Sequence, residues 1–152
     1  MYHSIYNDSC TSSYDASRWV VQLITASLMC LALNIYHESR GDTMSGQYAV
    51  AHVVINRVQS DKYPSSVCSV VKQGYSNGRH KCQFSWFCDG KSDTPREKIA
   101  WAWSLLVADD VLRGNSYDET DNATHYHALY VKPYWADSLK VTGVIGSHIF
   151  YK

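Results

Sequence analysis

Glu38 is the residue whose surroundings most demand a chemical explanation. It lies in the stretch Asn34-Ile35-Tyr36-His37-Glu38-Ser39-Arg40-Gly41, near the expected end of a long helix. Counting back by three, four and seven places Ile35, Asn34 and Leu31 on its helical face, so its carboxylate points the same way as buried positions. Desolvation on that face raises a carboxyl pKa, and so does the last helical turn, where the negative end of the helix dipole disfavours another negative charge. A carboxylic acid kept protonated near neutral pH is what a general acid at a glycosidic oxygen requires. The structural alternative is that Glu38 leans outward to pair with Arg40 or Arg57 at a helix end.

Other polar clusters offer competing chemistry. Thr124-His125-Tyr126-His127 reads as a strand, in which alternation sends Thr124 and Tyr126 to one face and His125 and His127 to the other. Two histidines at i and i+2, with His148 and Glu38 available, raise a zinc site, but no His-Glu-x-x-His helix or Cys-x-x-Cys pair accompanies them. No metal and no cofactor is therefore expected. Of the five cysteines, Cys30 reads as a small core residue. A bridge among Cys68, Cys82 and Cys88 fits a protein that works outside the cytosol, and Cys82 with Cys88 would tie one loop, although spacing leaves the pairing open. A Cys nucleophile beside His125 is an amidase-like alternative, with no local feature marking one thiol as activated.

These residues need elements to position them. A helix is expected from Asp15 or Ser17 to about Arg40, closed by Gly41 as a C′ residue, and a second from about Ser45 to Val58. A short helix capped by Ser65 or Ser66 should run through Gln73 and end at Gly74. Residues 74–93 read as a long loop with a short strand at Gln83 to Phe87, and loops of that length in compact domains tend to be functional. Thr94-Pro95-Arg96-Glu97 combines a capping box with Pro at the first helical position, opening a helix to Arg113 that closes on Gly114. The stretches Thr124 to Val131 and Val141 to Tyr151 could pair as a small antiparallel sheet. The expected class is α+β, mostly helical, with one domain over residues 15–152 and an N-terminal arm over residues 1–14.

Composition narrows the partners. A chain of 152 residues holds one core, and 14 Lys+Arg against 14 Asp+Glu leave no block of like charge to grip a phosphate backbone, so nucleic acid is excluded as the main partner. Twelve tyrosines and five tryptophans hint at carbohydrate, since both offer an apolar face with a polar handle. The apolar run Trp19 to Leu33 is interrupted by Gln22, Thr25 and Ser27 and is short for the roughly 20 residues of a membrane helix, so no stable membrane insertion is expected. Residues 1–18 lack the basic start of a secretory signal, which places the mature start near Met1.

From about Cys30 onward the chain resembles the cell-wall hydrolase family typified by the spore cortex-lytic enzyme SleB. The resemblance rests on Leu31 to Gly41, then Gly46-Gln47-Tyr48-Ala49-Val50-Ala51 leading into Val54-Ile55-Asn56-Arg57-Val58. It continues through Tyr63-Pro64, Val67-Cys68, Val70-Val71, Gln83-Phe84-Ser85-Trp86, Asp89-Gly90, Ala123-Thr124-His125-Tyr126 and Ile145 to Tyr151. It implies a lysozyme-like lytic transglycosylase in which Glu38 is catalytic acid and then base. The implied substrate is the peptidoglycan glycan strand, cut between N-acetylmuramic acid and N-acetylglucosamine. The resemblance also implies that Gln83, Ser85 and Trp86 line the substrate cleft opposite the acid, joined by Thr124, His125 and Tyr126. Strand alternation keeps His125 and Tyr126 from both pointing fully into it. In the alternative, Phe84 and Phe87 plug the core while Trp86 covers them.

Hydrolysis by a muramidase would more often need a second carboxylate, for which Asp89 is the first candidate and Asp118, Glu119 and Asp121 sit in a polar loop expected to be solvated. The expected setting is a monomeric phage endolysin, made in the host cytoplasm without a cleavable signal and acting on the bacterial wall.

Overall fold

The computed structural model describes residues 12–152, and its core is built around α1, Ser12–Ser39. Leu31, Ala32 and Ile35 on this helix are fully buried, which is why it runs through the middle of the molecule rather than across its surface. The helix α2, Met44–Val58, presents Ala51 and Val54 to it, and α4, Lys98–Leu112, adds Val107 and Ala108. Between them α3, Val67–Val71, packs Val70 and Val71 into the same core. The strands β1 (His125–Ala128), β2 (Val141–Ile145) and β3 (His148–Tyr151) form an antiparallel sheet in the order β1-β3-β2. Phe150 of β3 is fully buried against Ala49 and Val53 of α2, seating the sheet on that helix. Among the described residues no helix is long and apolar enough to cross a membrane.

The α+β class is as expected, while several boundaries differ for identifiable reasons. Asp15 and Ser17 lie inside α1 instead of capping it, and of the expected N-terminal arm, residues 1–11 lie outside the described residues. The helix ends at Ser39 and turns through Asp42 N–H on the Ser39 carbonyl (2.9 Å), so Gly41 needs no positive φ. The helix α4 starts at Lys98, later than its capping box. The Tyr36 hydroxyl accepts the Arg96 and Glu97 N–H groups (3.1 Å each), and the Glu97 carboxylate is drawn to Arg40 Nε (2.8 Å) instead of reaching back. A tertiary cap has replaced the local one. Gly114 does close the helix, with φ of 72°.

The short strand at Gln83 to Phe87 is instead a 3-10 turn over Ser85–Cys88, inside the tight loop closed by a Cys82–Cys88 disulfide. Cys30 is a second correction, since it bonds to Cys68 across a separation of 38 residues, tying α1 to α3. Loop-closure entropy for such a crosslink is worth about 4 kcal/mol. Val141 to Tyr151, a stretch interrupted by Gly143 and Gly146, is a hairpin that turns at Gly146 with φ of 57°.

Candidate active site

The last turn of α1 opens into a cleft of about 410 Å³ whose lining includes His37, Glu38, Asp42, Glu97, Tyr130 and His148. Glu38 is half-buried, on the face it shares with the buried Leu31, Asn34 and Ile35. It does not lean out to an arginine. Arg40 is taken by Glu97, and among the described residues no ion pair within 4 Å joins Glu38 to Arg57. Its partner is the Tyr126 hydroxyl, which donates to Glu38 Oε2 at 2.9 Å. Burial pushes the Glu38 carboxyl above its ordinary value, and the Tyr126 hydrogen bond and the Arg57 charge only partly oppose it. Burial likewise lifts the Tyr126 phenol well above its ordinary value, helped by the Glu38 charge, so it stays a proton donor in a hydrogen bond.

Arg57, at the end of α2, is a buried cation and not a helix-end partner of Glu38. It is 2% exposed, donates from Nε to the Thr124 carbonyl at 2.7 Å and lies over the rings of Tyr63 (5.3 Å) and Phe84 (5.2 Å). Burial pulls its pKa down while Tyr126, Tyr63 and Glu38 pull it up, and a guanidinium in a protein stays charged. A buried Arg among apolar α2 positions is the signal that could have exposed it. On the other side of Tyr126, Asn34 Oδ1 accepts the Trp86 indole N–H at 3.1 Å, while Asn34 Nδ2 makes no well-formed hydrogen bond.

Strand alternation puts the two cleft candidates on β1 on opposite faces. Tyr126 faces Glu38, whereas His125 and His127 face the opposite side and pack on Trp135 with centroids 5.3 and 5.7 Å away. His125 Nδ1 meets Thr124 Oγ1 at 3.0 Å and His127 Nε2 meets the Tyr151 hydroxyl at 2.7 Å. Burial, then the Arg57 charge, holds His125 below its ordinary pKa. Thr124 contributes its backbone, holding Arg57 and pairing with the Tyr151 carbonyl (2.9 Å).

The Gln83 to Trp86 segment is not where the resemblance puts it. None of Gln83, Ser85 or Trp86 lines the cleft. Trp86 is 9% exposed, with its ring stacked on His37 at 4.5 Å, so its indole supports the α1 turn from behind and offers no free face to a sugar. Gln83 and Ser85 are exposed outside the cleft, and Phe84 is buried as expected. The aromatic that the cleft does present is Tyr130, 90% exposed, on a turn held by Leu129 N–H to the Ser147 carbonyl (3.0 Å). Its loop position gave no periodic pattern from which to read that role.

The carboxylates proposed as a second catalytic group are elsewhere. Asp89 binds the Lys91 N–H (2.8 Å), Asp121 pairs with Lys152, and Glu119 is exposed away from the cleft. Asp118 is not merely solvated: it accepts from Thr120, Asn122 and Asn56, and these bonds outweigh burial to keep its pKa low. The carboxylates beside Glu38 in the cleft are Asp42 and Glu97. Asp42 accepts from Thr43 N–H (2.7 Å), Ser147 N–H (3.0 Å) and His148 Nδ1 (3.0 Å), and Gly46 and Gly146 approach it so closely that neither could carry a Cβ. Burial alone would raise its pKa, but these donors together lower it. All four described cysteines are bonded, which removes Cys30, Cys68, Cys82 and Cys88 as nucleophiles. Among the described residues no group of three or more His, Cys, Asp or Glu is placed to hold a metal.

Comparison with known proteins matches residues 41–151 to the family described as cell wall hydrolase, a stretch that begins three residues beyond Glu38. The spore cortex-lytic enzyme of Bacillus cereus is 32% identical over 127 residues, covering 82% of this chain and 44% of that protein. That of Bacillus subtilis (strain 168) is 29% identical over 130 residues, 79% of this chain and 35% of its own length. The chain thus spans less than half the length of these curated relatives. The catalytic domain of the germination-specific lytic transglycosylase SleB from Bacillus anthracis superposes with a TM-score of 0.66 at 30% identity, covering 83% of this chain and 93% of that one. The catalytic domain of the Bacillus cereus SleB protein gives 0.63 at 29%, covering 84% and 91%.

Proposed function

The chain belongs to the cell wall hydrolase family, and from that premise we propose that it cleaves peptidoglycan glycan strands as a lytic transglycosylase, with Glu38 as the acid and then the base. One observation carries the reading: in the cleft, burial raises the Glu38 carboxyl and no ion pair within 4 Å holds it among the described residues, whereas a set of donors lowers Asp42 and Glu97 is paired with Arg40. A protonated Glu38 gives its proton to the oxygen between N-acetylmuramic acid and N-acetylglucosamine as the C1–O bond breaks. The 2-acetamido group stabilises the cationic sugar. The carboxylate left behind is met by the Tyr126 hydroxyl and by the Arg57 charge, which makes the transfer less costly in a dry site. The muramic C6 hydroxyl then bonds to C1 and returns its proton to Glu38, giving a 1,6-anhydro end without water.

Mass spectrometry of soluble fragments from purified peptidoglycan tests this. Wild type should release anhydro-muramic ends, and Glu38→Gln should release them about 10³-fold more slowly. Reducing muramic ends would favour the muramidase alternative, with Glu97 as the other cleft carboxylate to examine once freed from Arg40. Undiminished release by Glu38→Gln would overturn the assignment. The biological setting we assign is bacterial lysis by a monomeric phage endolysin. Induction in a bacterium with and without a holin tests that setting, and lysis only from outside would remove it while leaving the chemistry.

A further inference from the structure

Asn34 interrupts the apolar face of α1, fully buried and four positions ahead of Glu38, so the two side chains stand on one face of the helix, one turn apart. Burying an amide among Leu31, Ala32 and Ile35 is costly unless its groups are paired. Its carbonyl is paired, since Oδ1 accepts the Trp86 indole N–H at 3.1 Å. Its amino end, Nδ2, is buried without a well-formed hydrogen bond.

An indole nitrogen only donates, so the bond from Trp86 fixes which way round the amide sits. Turned over, Nδ2 would meet the indole N–H, donor against donor. In the orientation that Trp86 selects, the amide turns its N–H groups to the Tyr126 phenol oxygen. Burial raises the phenol pKa most, and the Asn34 side chain works against that rise as a hydrogen-bond donor. Tyr126 has one proton to give, and a neighbour that only donates refuses it. Arg57, whose charge also acts on the phenol, refuses it for the same reason. Glu38 Oε2 accepts it at 2.9 Å. The carboxyl oxygen that accepts a hydrogen bond is the poorer seat for the acid proton, which leaves Oε1 to carry it.

We propose that Asn34 is a positioning residue for the acid: its amide, oriented by Trp86, directs the Tyr126 hydroxyl onto Glu38 Oε2 and so keeps the transferable proton on Oε1. The inference rests on the reading of Glu38 as the acid. It adds no covalent step: the proton leaves Oε1 for the glycosidic oxygen, and the muramic C6 hydroxyl returns one to the same oxygen. The groups that face the pair come from several elements. Arg57 of α2 lowers both pKa values, and His148 of β3 meets the Tyr126 ring edge-on at 5.2 Å. His37, Asp42 and Glu97 line the same cleft, Asp42 holding His148 and Glu97 holding Arg40. Asn34 is uncharged, so substituting it leaves each of these charges in place.

The test is a set of pH–rate profiles of fragment release for wild type, Asn34→Leu, Tyr126→Phe and the two substitutions together, with kcat and KM separated. Asn34→Leu should lower kcat about three- to tenfold with KM held, and should move the alkaline limb upward as the hydroxyl is freed to turn from Glu38. In the Tyr126→Phe background it should do neither, because the hydroxyl it directs is gone. Trp86→Phe keeps a ring on His37 and removes the indole N–H, so it should give a smaller loss of the same kind, and it carries the test if Asn34→Leu does not fold. Equal losses with and without the Tyr126 hydroxyl overturn the proposal, as does a limb that stays in place. Glu38→Gln is read alongside. Release at the wild-type rate by Glu38→Gln would bring down the acid assignment and this inference with it, whereas its loss combined with equal Asn34→Leu effects in both backgrounds removes only the positioning role.

Discussion

The last turn of α1 and the turn that follows it each place a carboxylate in the same cleft, four positions apart, and treat them in opposite ways. Glu38 accepts one hydroxyl hydrogen bond and burial outweighs it, so its acid form is favoured. Asp42 receives backbone N–H groups from both ends of the domain and an imidazole, so its anion is favoured. Donor count decides the difference, not residue type. A cleft that needs one proton donor also needs a rigid floor, and each carboxylate supplies one of the two.

Substitutions that neutralise each group should separate the roles. Glu38→Gln should cost about 10³-fold in fragment release with an unfolding midpoint at or above that of wild type, because a desolvated acid is replaced by a neutral group. Asp42→Asn should do the reverse, losing about 2–4 kcal/mol of stability as its N–H donors meet an amide, a drop of roughly 5–15 °C in a calorimetric scan. Equal midpoints for the two variants would break the comparison.

Titration sharpens it further. Glu38, raised above 4.5, stabilises the fold most below that pH and loses its contribution as pH rises through its folded value. Asp42, lowered below 3.8, contributes above that pH and loses its contribution as pH falls through its folded value. Fragment release should accordingly fall as pH rises through the Glu38 value. Tyr126→Phe removes a donor that lowers the Glu38 pKa, so the alkaline limb of the pH–rate profile should move upward while the maximum rate drops. A limb that stays in place would show that Tyr126 does not act on Glu38. The smallest effect expected is at Tyr130, where alanine should raise KM about three- to tenfold with kcat retained, since only a stacking face is lost.

Periodic and local signals read well from the sequence. The three longest helices, the Gly114 stop and the burial of the Glu38 face all follow from spacing within one turn or one helix. What failed depended on partners far along the chain. The start of α4 is set by Tyr36 and Arg40, about sixty residues upstream, and local capping rules cannot see them. The Cys30–Cys68 bridge spans two elements, so spacing alone gave no reason to take Cys30 out of the core. Trp86 failed for another reason: an indole beside Gln and Ser looks equally suited to sugar or to core, and the buried acceptor on Asn34 decides it. Strand alternation is a strict period, so the opposite facing of Tyr126 and His125 was legible, while the face that meets Glu38 is set by how the sheet docks.

The contacts that complete the cleft reach forward along the chain by 88 residues from Glu38 to Tyr126 and by 105 from Asp42 to Ser147. During translation the acid therefore emerges from the ribosome long before its hydroxyl donor, and the floor of the site closes only once the β2–β3 hairpin has emerged and docked. A chain interrupted ahead of that hairpin would lack the Ser147 and His148 donors that hold the Asp42 anion in place.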